Sequence, residues 1–377
     1  MGSASASSPK RFSYLRSVAP AAALIFLALL LVAGAMATLH RRDSLANDQD
    51  TPRKILRDCS NRRRPLPRGV VQDTTDLEME PSLGGDPERR KKQPAAPAPK
   101  KSLLAVPVGI NNKAVVDKLV SKFLDAGGFA VMLFHYDGAV EQWADLAWSG
   151  RAVHVAARGQ TKWWFAKRFL HPDVVADYEY VFLWDEDIEV DAFDPASYLA
   201  VVRREGLEVS QPALDRRSEI HHAITARALL PAADGGGVHR RALDTRCHAG
   251  SDAPPCVGWV EMMVPVFSRA AWRCAWGMVQ NDLIHGWGLD YRLGYCARGE
   301  RARSVGVVDS EYVLHRGVPM LSDGGAGAAA ASGGRAAVRW RSFKEMQLFD
   351  RRWEEAAAED TSWTDPYAAQ PPTAISR

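Results

Sequence analysis

The chain has 377 residues, room for two or three domains at roughly 150 residues each. A content of 46% hydrophobic and 25% charged residues excludes a collagen-like, disulfide-scaffold or wholly disordered chain. A net charge of +3 lacks the basic excess of a dedicated nucleic-acid binder, so no nucleic-acid partner is expected.

Residues 1–18 read as a short cytosolic tail, and residues 19–39 as a transmembrane signal anchor. The run PAAALIFLALLLVAGAMATL carries no charge, and about 20 such residues span roughly 30 Å of hydrocarbon as a helix. The apolar centre of a cleaved signal is shorter, about 7–15 residues. The small residues Ala33, Gly34, Ala35 and Ala37 keep a cleaved signal as the alternative. Basic residues flank the run on both sides, so the positive-inside rule gives only a weak bias. The short tail and the bulk downstream fit a type II orientation. Residues 40–100 mix charge, Pro and Gly without apolar periodicity and read as a disordered stem.

A folded domain is expected over residues 101–322. SLLAVPVG is a continuous apolar run and reads as a buried strand. KAVVDKLVSKFL follows with Val116, Leu119, Val120 and Phe123 at helical spacing. FAVMLFHYDG and AVHVAARG read as further strands, and QTKWWFAKRFL as a helix ended by His171-Pro172. YVFLWDEDIEV is a fourth strand running into acids, and GLEVSQPAL a fifth. Strands alternating with helices predict an α/β fold, with a mainly parallel sheet and helices on both faces. Residues 323–335, rich in Gly and Ala, read as a flexible loop. Residues 336–377 read as a C-terminal helix and tail, with Trp340, Phe343, Met346, Phe349 and Trp353 packing on the domain.

Three constellations point to chemistry. Side chains alternate along a strand, so Asp185 and Asp187 point the same way. Two carboxylates past a buried strand repel each other unless a cation lies between them, and hard oxygen ligands suit Mn²⁺ or Mg²⁺. The competing reading is a solvated acidic turn. Gly286-Trp287-Gly288-Leu289-Asp290 lets the backbone turn closely around a ligand, with Trp287 offering a flat face and Asp290 a carboxylate; a Gly-rich turn with a core Trp competes. His315 ends a strand-like run and is a candidate third metal ligand, although a lone His is more often an ordinary hydrogen-bonded residue. His221-His222 could line a site or lie on the surface. Cys247, Cys256, Cys274 and Cys296 lack zinc-site spacing and allow three full pairings as disulfides. No dinucleotide fingerprint, P-loop or nucleophile elbow occurs.

Several stretches, among them VMLFHYDG, QTKWWFAKRFLHPD, YVFLWDEDIEV and QNDLIHGWGLDYRLGYC, closely resemble the plant domain-of-unknown-function 707 family over roughly residues 100–365. Its members are often labelled lysine-ketoglutarate reductase trans-splicing related, a label without counterpart in these residues. A weaker resemblance is to nucleotide-sugar glycosyltransferases of the GT-A type. It implies a GT-A-like fold with Asp185 and Asp187 as the D-x-D metal pair and His315 as a late metal ligand. Trp287, Gly288 and Asp290 would lie near the acceptor. Asp137, placed after the second strand, is a separate candidate contact to the nucleoside.

The expectation is therefore a type II Golgi membrane protein whose lumenal domain is a metal-dependent glycosyltransferase. Its partners would be a nucleotide-sugar donor, a glycan acceptor and the membrane through the N-terminal helix. Asp290 would orient the acceptor hydroxyl, and in an inverting reaction serve as general base. The rival is a non-catalytic lumenal glycan- or partner-binding protein on the same fold.

Overall fold

The computed structural model describes residues 66–70, 101–219, 222–228, 237–241, 247–248, 250–251, 253–317 and 328–367. All of them belong to the second of two compact units, Pro65–Arg377. The expected transmembrane span lies outside the described residues; among these, no helix is long and apolar enough to cross a membrane.

The sheet is built around β1 (Lys101–Val108), buried at every position after its first residue. It pairs in parallel with β2 (Phe129–His135) on one side and β4 (Tyr178–Leu183) on the other, and β3 (Val153–Ala156) adds in parallel beyond β2. The far half departs from the expected parallel arrangement. β8 (Val266–Ser268) runs antiparallel between β4 and β6 (Val209–Leu214). β9 (Val305–His315) is parallel to β6, but β5 (Ile188–Glu189) and β7 (Val238–His239) pair with β9 antiparallel. The sheet is thus mixed. The three-residue β8 was not legible as a strand, since a run that short carries no periodicity.

Alternation along β1 feeds two cores. Leu103 and Ala105 join one, with side chains of α2 (Lys162–Phe169) and α4 (Arg269–Met278). Leu104, Val106 and Val108 join the other, with α1 (Lys113–Ala126) and α3 (Pro195–Glu205). Helices therefore cover both faces, as the strand–helix alternation predicts. Helix starts follow local chemistry. The side chains of Thr161, Asp194 and Ser268 cap α2, α3 and α4 by accepting from the N–H groups of Trp164, Ser197 and Ala271. Short helices α5 (Asp290–Leu293) and α6 (Arg301–Ser304) precede β9.

Two boundaries differ from the sequence reading. Residues 66–70, assigned to the stem, are ordered, with Leu66 and Val70 buried in the first core. Helix α7 (Ala328–Glu359) begins inside the segment read as a flexible loop; the alanine run there is the strongest helix former available. Phe349 and Trp353 of α7 are buried as expected, whereas Trp340 is 60% and Phe343 38% exposed. Steps of three residues fall about 60° short of a full turn each, so Trp340 sits on the face opposite Phe349. The cysteines form two disulfides, Cys247–Cys256 and Cys274–Cys296.

Candidate functional site

The carboxyl ends of β1, β2 and β4 open onto a cavity of about 740 Å³, the edge at which ligands bind in open α/β sheets. Asp185, Asp187, Trp287, Gly288, Asp290 and His315 all line it. The three motifs, far apart in the chain, are thereby brought together.

The fourth strand predicted over residues 180–190 is broken. β4 ends at Leu183, and the amides of Trp184 and Asp185 then donate to the carbonyls of Ala105 and Met263 at 3.1 and 2.9 Å. Asp185 is buried, and its Oδ1 accepts from Lys162 Nζ at 2.6 Å. Burial pushes the Asp185 carboxyl up, and the neighbouring ammonium draws it back. Asp187 reaches His315, with Oδ2 3.2 Å from Nε2. Glu186 is fully buried, and the Gly109 N–H at 2.6 Å and the Tyr136 hydroxyl donate to it. Burial lifts its carboxyl to about 7, against these donors.

The opposite wall is the glycine turn. Gly286 has φ +73°, and a Cβ there would stand 2.5 Å from Cδ1 of Trp163. Gly288 has φ +95°, with Met346 and Phe349 of α7 close behind it. Both positions need glycine. Glu345 of α7 accepts from the His285 amide at 2.8 Å and lies 2.9 Å from its Nδ1, fixing the start of the turn. Trp287 is 39% exposed on the cavity wall. Burial raises the Asp290 carboxyl to about 6, while the Tyr291 N–H and the His222 ring pull it down.

Asp137 is the residue that the structure sets apart. Its two carboxylate oxygens accept from the Ile110 and Ala139 amides at 2.7 and 2.9 Å, closing the turn after β2, and it is not among the cavity-lining residues.

Three cavity residues escaped the sequence reading or were only touched by it. His222 stands against the buried carboxylate of Glu261, Nδ1 to Oε1 at 2.8 Å; its neighbour His221 lies outside the described residues. Lys162 has a local signal. It follows the N-cap Thr161 in the first turn of α2, where the helix dipole disfavours a cation.

The expected metal set can be tested on this geometry. Among the described residues, no three His, Cys, Asp or Glu side chains are grouped to hold an ion. Asp185 is engaged by an ammonium and Asp187 by an imidazole. The donors as arranged do not fit a resident divalent metal.

The sequence matches the profile of the family described as "Protein of unknown function (DUF707)" over residues 58–359. No curated protein matches it. Among solved structures, the chain is similar to S. aureus TarS 1–349, with 10% identity and TM-score 0.35, covering 57% of this chain and 60% of that one. It is also similar to 4-diphosphocytidyl-2C-methyl-D-erythritol synthase from Anaerococcus prevotii (10%, TM-score 0.35, 63% of this chain, 96% of that one). The S. cerevisiae mannosyltransferase Ktr4p is a third (11%, TM-score 0.24, 38% and 45%). The chain thus spans 60% of the TarS fragment's length, and no residue role is carried over from these likenesses.

Proposed function

The chain belongs to the DUF707 family, and we propose that it is a glycosyltransferase using a nucleotide-sugar donor. The observation that carries this reading is the meeting of Asp185, Asp187, His315, Trp287 and Asp290 around one cavity at the carboxyl edge of the sheet. The donor diphosphate would lie at the β4 end, and the acceptor against Trp287 and Asp290. An indole face with a carboxylate beside it suits a sugar ring and its hydroxyl.

In an inverting transfer, the bond between the anomeric carbon and the leaving phosphate oxygen breaks, and its electron pair departs with the diphosphate. The acceptor oxygen forms the new bond, and its proton passes to Asp290. A carboxyl with a pKa of about 6 is a competent base at neutral pH. His222, steadied by Glu261, stands beside Asp290 and would orient its charge.

A secretory, type II Golgi location completes the proposal. It rests on the uncharged run at residues 20–39 and on two disulfides, which persist in oxidising compartments. Carbonate washing should leave the full chain in the membrane fraction and detergent should release it; release by carbonate contradicts the anchor.

The activity is tested by incubating the full-length protein in detergent with nucleotide sugars and candidate glycans, following release of the nucleoside diphosphate. Asp290→Asn should lower turnover by about 100-fold or more, the scale of a lost general base. Nucleotide-sugar binding without turnover would favour the non-catalytic binding protein.

A further inference from the structure

Lys162 lies at the centre of the site proposed above, and its surroundings are unusual for a lysine. It is 8% exposed, yet it lines the cavity. Its Nζ donates to Asp185 Oδ1 at 2.6 Å and to the Met262 carbonyl. An ammonium has three N–H donors, so one remains for the cavity. The lysine also stands in the first turn of α2, against the preference set by the helix dipole. A position that breaks a local rule inside a cavity points to function more than to stability.

Both carboxylates of the site face a nitrogen partner: Asp185 the Lys162 ammonium, Asp187 the His315 ring. Among the described residues no third carboxylate, imidazole or thiol is grouped with them, and Asp185 already holds an ammonium where a bound ion would sit. A diphosphate entering this end of the cavity meets an ammonium held on a carboxylate tether, at the positive end of a helix. We propose that the Lys162 ammonium takes the place of a divalent cation, binding the donor diphosphate directly, so that nucleotide binding is independent of metal. Asp185 is then a positioning residue that fixes Nζ. During transfer the same ammonium would receive the charge that gathers on the leaving phosphate oxygen. The inference rests on the nucleotide-sugar reading but can fail without it.

The test is calorimetric titration of the full-length protein in detergent with UDP, GDP, CDP and ADP, each with EDTA and with Mn²⁺ or Mg²⁺. At least one nucleotide should bind, with affinities in EDTA and metal within about twofold. Lys162→Gln should weaken it roughly 10- to 100-fold, the loss of a charge-assisted hydrogen bond. That variant strands the buried Asp185 carboxylate, which destabilises the fold, so Lys162→Gln/Asp185→Asn is made alongside it. The double variant should melt like the wild type yet still bind weakly. Binding that requires Mn²⁺ or Mg²⁺ would overturn the inference and leave the nucleotide-sugar reading standing. Wild-type affinity in the double variant would also overturn it, reducing Lys162 to a structural partner of Asp185. No binding of any nucleotide, with or without metal, would overturn both.

Discussion

Asp187 and His315 meet at the far edge of the sheet, Oδ2 to Nε2 at 3.2 Å. They do so because Ile188 and His315 are register partners in the antiparallel pair of β5 and β9. The contact joins the acidic end of the β4 segment to the last residue of a strand far along the chain. His315→Ala takes the ring away from a carboxylate only 2% exposed. The expected cost is about 1–3 kcal/mol, read as a lower urea midpoint with an unchanged m-value. An unaltered midpoint would show that the pair does not hold this edge together.

Asp290 should trade stability for activity. Its carboxyl, ordinarily at 3.8, is raised to about 6, mainly by burial, with His222 facing it. The folded state therefore binds more protons than the unfolded one between these values, and stability falls as pH rises through that window. The ionised group is a standing cost of order 2–3 kcal/mol above it. Asp290→Asn should melt higher than the wild type at pH 8 and close to it below about pH 4. Transfer by the variant should drop about 100-fold or more, and wild-type transfer should fade as pH falls through about 6.

Much of this site was legible in the chain. The buried run ending in acids marked Asp185 and Asp187, and the spaced glycines marked Trp287 and Asp290 as a turn against a ligand. What was not legible was their encounter, which depends on β9 crossing to pair with both β6 and β5. The role of Lys162 was also hidden. A lysine in the first turn after a threonine cap is a faint local signal, and its partner Asp185 lies on another element. Asp137 shows the reverse error. A carboxylate after a strand suggested a ligand contact, but both oxygens accept from the Ile110 and Ala139 amides and the residue does not line the cavity. The helical period on α7 misplaced Trp340, because steps of three drift around the helix.

Trp287 is exposed at the cavity wall, so its removal should act on the ligand and spare the fold. Trp287→Ala is expected to raise the acceptor KM about tenfold, the equivalent of roughly 1.4 kcal/mol of aromatic contact, with little change in melting temperature. An equal fall in kcat at unchanged KM would place the indole elsewhere in the reaction.

The Cys274–Cys296 bridge closes a loop with a sequence separation of 22 that contains the entire glycine turn. Cys274→Ser/Cys296→Ser should cost about 2–4 kcal/mol, chiefly by freeing the unfolded chain. The turn should become the first segment to exchange amide hydrogens in the variant. Unchanged exchange over residues 284–291 would show that α7 alone holds the turn.

The central claim is a donor site at the end of β4. The most direct test is the melting temperature of the full-length protein against a panel of nucleotide sugars, beside Lys162→Gln/Asp185→Asn. A ligand at about 100 times its Kd should stabilise the wild type by roughly 2.7 kcal/mol, a shift of a few degrees. Such a shift is expected for one nucleotide class, and a clearly smaller one in the variant. A well-folded wild type that shifts with none of them would contradict a donor site here.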